Sequence, residues 1–162
     1  MVDHIDRQIV DAMLADPRAG VREVASETGI AATTVSRRLD ALIESDCIES
    51  FRPRVEYAAF GYTVTAVFRL SVDWSGVDRV ADRLAESPNI VTIYEVTGTE
   101  DIVAVGKFRD TAAMNERIKR LLTDDDVRTV ATNVVLDVGT EFDQFPVAND
   151  GEEEGDGDPV AD

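Results

Sequence analysis

The chain has 162 residues and a formal net charge of −17, a length that allows one ordinary domain or two small ones with real hydrophobic cores. Its apolar runs are strand-sized, far shorter than the roughly 18 residues of a membrane span, and its N-terminus lacks the layout of a signal peptide. We therefore expect a cytoplasmic protein with no membrane partner. The single cysteine, Cys47, excludes an internal disulfide, and we expect it to be a small buried residue.

The charges are unevenly distributed along the chain. Residues 146–162 contain seven acidic residues and no cation, and only Lys107 and Lys119 among the sixteen cations are lysines. An acidic surface with few lysines suits a salt-rich cytoplasm, because salt screens the repulsion between like charges. We infer a halophilic archaeon as the source. The alternative at this point is an acidic protein of ordinary cells that avoids nucleic acid.

The first fifty residues predict three short helices, because their apolar residues recur at helical spacing. Asp3 is a suitable N-cap for the first helix and Pro17 ends it, whereas Gly29 suits the left-handed conformation after the second. Helix, glycine turn and helix form a helix-turn-helix, which we assign to residues 1–50. The apolar positions of the three helices are Ile5, Ile9, Val10, Met13 and Leu14; Val21, Val24 and Ala25; and Val35, Leu39, Leu42 and Ile43.

Residues 63–145 predict alternating strands and helices. Apolar residues at every second position of "YTVTAVFRLSV" predict a half-buried strand, and "IVTIYEV", "DIVAVGKF" and "VRTVATNVVLDV" predict three more. The order β-α-β-β-α-β predicts a ferredoxin-like antiparallel sheet with both helices on one face, so the chain is of the α+β class. The other face is expected to carry Thr65, Val67, Val91, Ile93, Val103 and Val105.

Two segments have the composition of connections and tails. Residues 51–62 show no sustained period and contain Pro53 and Gly61, so we expect a linker arm there. Residues 146–162 have almost no apolar content and are expected to form a disordered acidic tail that is dispensable for folding.

A group of polar and cationic residues lies near the start of the third predicted helix. At about 100° per residue these side chains fall on the side away from the apolar stripe and are expected to face solvent. The first turns of a second helix in this motif reach base edges in the major groove, where arginine pairs with guanine. This predicts binding of double-stranded DNA; the alternative is an ordinary solvated helix face. The residues are Thr33, Thr34, Ser36, Arg37 and Arg38, and Arg52 continues the excess of cations beyond the helix.

Residues 3–143 resemble the Lrp/AsnC family of prokaryotic transcription regulators. The resemblance rests on "IDRQIVDAMLADPR", "VREVASETGIAATTVSRRLDALIESDCIE" and "VTGTEDIV". It implies that the N-terminal part binds DNA and that the C-terminal domain, called RAM, forms homodimers or larger even-numbered oligomers through its sheet and often binds an amino acid. Two departures stand out. Ala31-Ala32 replaces the usual Ser-Pro, which removes the side-chain cap of the third helix, and Asp46 replaces a glycine.

The "TGTED" loop matches a Gly-x-x-Asp segment that lies near the effector site in family members that bind amino acids. Gly98 would permit a close backbone approach, and Asp101 could pair with an α-ammonium group. The alternative is a plain hairpin turn, since glycine and aspartate favour turns. Ile102 stands where an aromatic residue is common in that family. The candidate hydroxyl partners are Thr97, Thr99 and Thr132.

Nothing in the sequence favours an enzyme. His4 has no nucleophile placed with it, and the acids at 124–126 lack the further spaced carboxylates of a metal site. We therefore expect no catalytic residue, no metal and no cofactor. The favoured hypothesis is a sequence-specific DNA-binding regulator that responds to an amino acid or related metabolite. The alternative is a ferredoxin-like small-molecule sensor or enzyme whose helix-turn-helix mediates protein contact.

Overall fold

The computed structural model describes residues 2–148. These residues form two compact units: residues 2–53 with 140–148, and Arg54–Gly139. Each unit has its own cluster of buried apolar residues.

The first unit contains three helices: α1 (His4–Ala15), α2 (Val21–Thr28) and α3 (Ala32–Glu44). The α1 start is capped reciprocally, because the Asp3 carboxylate accepts the Asp6 amide at 3.0 Å while the Asp6 carboxylate accepts the Asp3 amide at 2.9 Å. The helices close around a small core of Ile9, Ala12, Val24 and Val35. The predicted helix-turn-helix is confirmed.

The turn between α2 and α3 follows from its residues. Gly29 has a φ of 71°, the left-handed conformation that glycine adopts without steric cost. Ala31, the residue before α3, makes no side-chain cap, as its sequence predicts. Beyond α3, Asp46 has a φ of 56°, in the left-handed region that favours glycine.

Two expectations for this unit are wrong. Ile43 is 41% exposed, whereas Leu42 is 5% exposed, because Ile43 lies about 80° around the helix from Val35 and so at the edge of the apolar stripe. Cys47 is exposed rather than buried, since it lies in the open turn that follows the end of α3.

The start of the predicted tail is bound to α1. Asp11 accepts hydrogen bonds from the amides of Val147 at 2.6 Å and Ala148 at 3.0 Å. Arg7 donates from Nη1 to the Val147 carbonyl oxygen at 2.7 Å. Two residues that were expected to be disordered therefore make contacts, and the rest of the predicted tail, residues 149–162, lies outside the described residues.

The second unit contains a four-stranded antiparallel sheet in the order β2-β3-β1-β4 and two helices. This confirms the predicted β-α-β-β-α-β fold. A short 3₁₀ turn, Tyr57–Phe60, lies within the predicted linker arm. The elements are β1 (Val64–Val72), α4 (Val77–Ala85), β2 (Ile90–Glu95), β3 (Ile102–Phe108), α5 (Thr111–Leu122) and β4 (Val127–Val134).

Both helices of the second unit pack on one face of the sheet. Every second residue of β1 points into the core, and two of these residues, Phe68 and Leu70, are fully buried. They belong to one apolar cluster with Leu84 of α4 and Leu121 of α5. The opposite face carries Val67 paired with Val105, and Val103 paired with Tyr94. Ile93 was expected on that face and instead packs against the core, because a bulge between Ile90 and Thr92 shifts the alternation of β2.

Candidate functional site

The exposed side of α3 carries most of the predicted DNA-binding residues. Thr33, Ser36 and Arg37 are exposed, whereas Thr34 is half-buried. The exposed three line a shallow depression together with Asp40, Ala41 and Glu44. Arg37 makes no hydrogen bond or ion pair within residues 2–148. Its guanidinium is therefore available to a ligand, flanked by hydroxyl groups.

Arg38 was predicted to face solvent, but its side chain is half-buried. Its Nη1 contacts the Asp3 carboxylate at 2.6 Å and the Asp6 carboxylate at 3.1 Å, so α1 holds the side chain between the helices. The hydrogen bond to Asp3, with a further contribution from Asp6, raises the pKa of the Arg38 guanidinium. The pKa of Asp3 is lowered, first by the hydrogen bond from the Asp6 amide and then by Arg38.

The half-buried position of Arg38 could be predicted in part from the sequence. Arg38 follows Val35 by three residues, which places it within about 60° of the buried stripe. Half-buried cations in such a position commonly find a carboxylate. That the carboxylates come from the cap of α1, 32 and 35 residues away, follows only from the tertiary fold.

Arg52 is exposed beyond the end of α3 and shares no described contact with the α3 group. The depression itself contains one guanidinium, of Arg37, and the two carboxylates of Asp40 and Glu44. It can therefore make directional hydrogen bonds to an edge of a base or to a phosphate, but it is not a broad cationic patch. Contact with DNA through this face would be short-ranged.

The predicted effector loop is held to the sheet by Asp101. The Asp101 carboxylate Oδ2 accepts a hydrogen bond from the Val72 amide at 2.7 Å, and the Asp101 amide donates to the Leu70 carbonyl oxygen at 2.8 Å. Gly98 has a φ of 126°, and apart from its two chain neighbours no described residue has an atom within 4 Å of where a Cβ would stand. Asp101 is thus a structural anchor of the loop, and its other carboxylate oxygen accepts no hydrogen bond from residues 2–148.

The hydroxyl candidates do not gather at one place. Thr97 and Thr99 are exposed in the loop, which leaves the sheet from β2 at one edge, whereas Thr132 belongs to β4 at the other edge. Thr132 pairs directly with Phe68 and so lies on the helix-covered face. Its buried Oγ1 has no hydrogen-bond partner among the described residues.

Within residues 2–148, no group of three or more His, Cys, Asp or Glu side chains is arranged to hold a metal ion. The helices described between residues 2 and 148 also lack the length and apolar character needed to cross a bilayer.

Two known protein domains match this chain. The AsnC-type helix-turn-helix domain matches residues 2–43, and the Lrp/AsnC ligand binding domain matches residues 65–141. An uncharacterised HTH-type transcriptional regulator of Pyrococcus abyssi is 31% identical over 138 residues, which cover 85% of this chain and 94% of that protein. The HTH-type transcriptional regulator FL11 of Pyrococcus furiosus is 30% identical over 147 residues, covering 91% and 97%.

Solved structures share the fold. The feast or famine regulatory protein from Mycobacterium tuberculosis, solved in complex with L-methionine, superimposes with a TM-score of 0.83 at 24% identity, covering 90% of this chain and 99% of that one. The helix-turn-helix match lies within the first unit and the ligand-binding match covers most of the second, and the relatives are regulators rather than enzymes. The chain therefore belongs to the Lrp/AsnC family of helix-turn-helix transcriptional regulators.

Proposed function

We propose that this protein regulates transcription by binding a specific sequence of double-stranded DNA with the exposed side of α3. The observation that carries the proposal is the placement of Thr33, Ser36 and Arg37, which face solvent from the first turns of the second helix of a helix-turn-helix. From there an arginine can donate two hydrogen bonds to guanine while hydroxyl groups contact phosphates.

The proposal assigns a separate role to each segment of the chain. Residues 1–50 bind DNA, residues 51–62 form a linker arm and residues 63–139 form the RAM-like domain, whereas residues 140–148 belong to the first unit. Thr34 and Arg52 remain secondary candidates for phosphate contacts. Arg38 is proposed to support the helix from behind rather than to touch DNA, because two carboxylates of α1 already hold its guanidinium.

A high salt concentration would favour DNA binding by this acidic chain. Asp40 and Glu44 lie in the same depression as Arg37, and the chain as a whole carries −17, so repulsion from DNA would be strong in dilute buffer. At 1 M salt the Debye length is about 3 Å, and only charges at the contact itself still act. We therefore propose the cytoplasm of a halophilic source as the place where this protein binds DNA.

Selection of genomic fragments by the full chain, repeated from low to high salt, tests the proposal. A sequence-specific regulator should enrich one motif, and this motif should persist at high salt because hydrogen bonds to bases survive screening. If no motif is enriched at any salt concentration, the helix-turn-helix serves another purpose, as in the alternative of a small-molecule sensor whose helices contact a protein.

We further propose that an amino acid acts as effector at the Thr97–Asp101 loop. The support is the exposure of Thr97, Gly98 and Thr99 beside the anchored Asp101 carboxylate. The presence of L-methionine in a structural relative adds to this support. Thr132 is the least supported candidate, because it lies on the helix-covered face of the opposite edge strand.

A homodimer is proposed on the face of the sheet that no helix covers. Val67, Val103 and Val105 form a continuous apolar patch across β1 and β3 there, bordered by Tyr94, which is 60% exposed. Such a patch is usually covered in a stable protein. Light scattering at micromolar concentration in high salt should give a dimer or a larger even-numbered oligomer, and Val67→Glu should shift it towards monomer. A monomeric wild-type chain would contradict this assembly.

A further inference from the structure

A small cleft lies between the two helices that cover the sheet of the second unit. It has a volume of about 200 Å³. Three apolar side chains that are almost fully buried form its floor, and three arginines and one aspartate surround it. The lining residues are Val80, Arg83 and Leu84 of α4, Arg117, Arg120 and Leu121 of α5, and Asp124.

The one aspartate of the cleft is already fully engaged. Arg83 donates to both carboxylate oxygens of Asp124, from Nε at 2.8 Å and from Nη2 at 2.7 Å. It also donates to Asp126 at 2.9 Å. Asp126 in turn accepts from Arg79 at 2.6 Å. Two arginines therefore balance two aspartates, and this network leaves no carboxylate for the other two arginines of the cleft.

Arg117 and Arg120 remain uncompensated. They stand three residues apart on α5, and so on the same side of that helix. Neither guanidinium group makes a hydrogen bond or ion pair within residues 2–148. Burial lowers the pKa of Arg117, and the neighbouring positive charge of Arg120 lowers it further. In a chain with twice as many acids as cations, 33 against 16, two adjacent cations without a carboxylate are an unusual arrangement.

We propose that the cleft between α4 and α5 binds a phosphoryl dianion, with Arg117 and Arg120 as its ligands. Two guanidinium groups supply a net charge of two and planar sets of N–H donors that suit the oxygens of a phosphate. A carboxylate would balance only one of them. The cleft is smaller than the roughly 300–1,000 Å³ of sites for drug-sized ligands, so the ligand is inorganic phosphate or a small phosphate monoester.

A simpler role for these cations is stabilisation of the end of α5. The helix ends at Leu122 with Lys119 and Arg120 in its last turn, where cations interact favourably with the helix dipole. That role would make Lys119 equivalent to Arg120. Lys119 is exposed and does not line the cleft, so Lys119→Gln removes the same charge from the same turn and serves as the matched control.

Calorimetry on the full chain in a chloride buffer of constant ionic strength tests the site, with inorganic phosphate, phenyl phosphate and acetate as probes. We expect saturable binding of inorganic phosphate, one per chain, and weaker binding of acetate. Arg117→Gln and Arg120→Gln should each weaken phosphate binding by about tenfold, the loss expected for one charge-assisted contact, whereas Lys119→Gln should bind as the wild type does. Tighter binding of phenyl phosphate would assign the site to a phosphate monoester, and equal or weaker binding would assign it to free phosphate.

Three results would overturn the proposal. The first is the absence of phosphate binding by the wild-type chain. The second is an equal loss in all three variants, which would indicate screening by net charge. The third is equal binding of acetate and phosphate. Circular dichroism of each variant separates loss of the site from loss of the fold, and DNA is absent throughout, so the outcome does not depend on the proposed DNA-binding function.

Discussion

Arg38 of α3 and Asp6 of α1 form an ion pair, with 3.1 Å between Nη1 and Oδ1. The Asp6 side chain is 7% exposed and Arg38 is its cationic partner in the described part of the chain. Asp6 is also half of the reciprocal cap of α1. A single arginine therefore connects the start of α1 to the proposed recognition helix, next to an arginine that points to solvent.

Substitution of Arg37 and of Arg38 by alanine should have different effects on stability and on DNA binding. Arg38→Ala leaves the Asp6 carboxylate buried without its partner, which is strongly destabilising, so we expect a clearly lower melting temperature and weaker binding to every DNA sequence. Arg37→Ala removes an exposed side chain that has no partner among residues 2–148, so melting should be unchanged. Its affinity for the selected operator should fall by about 1–3 kcal/mol with relaxed preference at one base pair.

Arg128→Ala is the charge control for both variants, since it removes an exposed arginine of the second unit that pairs with Asp73. Melting curves and a DNA titration against single-base operator variants provide the measurements. Equal operator affinity in Arg37→Ala and the wild type would show that this side of α3 is only a solvated surface.

The hydrogen bonds of the C-terminal segment to α1 predict where truncation begins to matter. A chain that ends at residue 149 keeps the two hydrogen bonds that Asp11 accepts from Val147 and Ala148 and the one that Arg7 donates to Val147. A chain that ends at Pro146 loses all of them. We expect the shorter chain to lose about 1–3 kcal/mol of unfolding free energy, the range for a few hydrogen bonds to charged groups. Denaturant unfolding at high salt measures the difference. Identical curves would show that the tail is dispensable from residue 147 onwards.

The ion pairs around Asp126 predict an acid-sensitive step in stability. Hydrogen bonds from Arg79 and then Arg83 lower the pKa of Asp126 from 3.8 to about 2. Because the folded pKa lies below the unfolded value, the stabilisation is complete above pH 3.8 and is lost as the pH falls to about 2. Asp126→Asn should therefore melt lower near neutral pH and show a flatter pH profile in that window.

Asp125→Asn is the control for this profile. Asp125 is exposed and makes no described ion pair, so its removal changes the charge of the same loop without touching Arg79 or Arg83. If the two variants give the same pH profile, the Asp126 network does not contribute to the acid response.

Periodicity predicted the elements well, because burial of one side of each element leaves a regular mark in the sequence. Phe68 and Leu70 were expected on the core side of β1 and are fully buried. Ile93 was placed on the wrong face because a β-bulge in β2 shifts the in-and-out alternation of its side chains. No individual residue of β2 indicates that bulge in the sequence. Arg38 and Asp101 were expected to be available for ligands. Their actual partners, Asp6 and the Val72 amide, are distant in sequence and become neighbours only through tertiary folding.

The double role of Asp101 allows a test of the proposed effector loop. Asp101→Ala leaves the Val72 amide without its acceptor, which should cost about 1–3 kcal/mol of unfolding free energy. Asp101→Asn keeps an oxygen that can accept this hydrogen bond but removes the charge that would pair with an α-ammonium group. We therefore expect the asparagine variant to melt close to the wild type and to bind its amino acid about tenfold more weakly, as for loss of one charge-assisted contact.

Calorimetry with L-methionine and the other proteinogenic amino acids, paired with melting curves, measures both effects. Unchanged amino-acid affinity in Asp101→Asn would make Asp101 an anchor of the loop alone, and a wild-type chain that binds none of these amino acids would remove the loop as an amino-acid site.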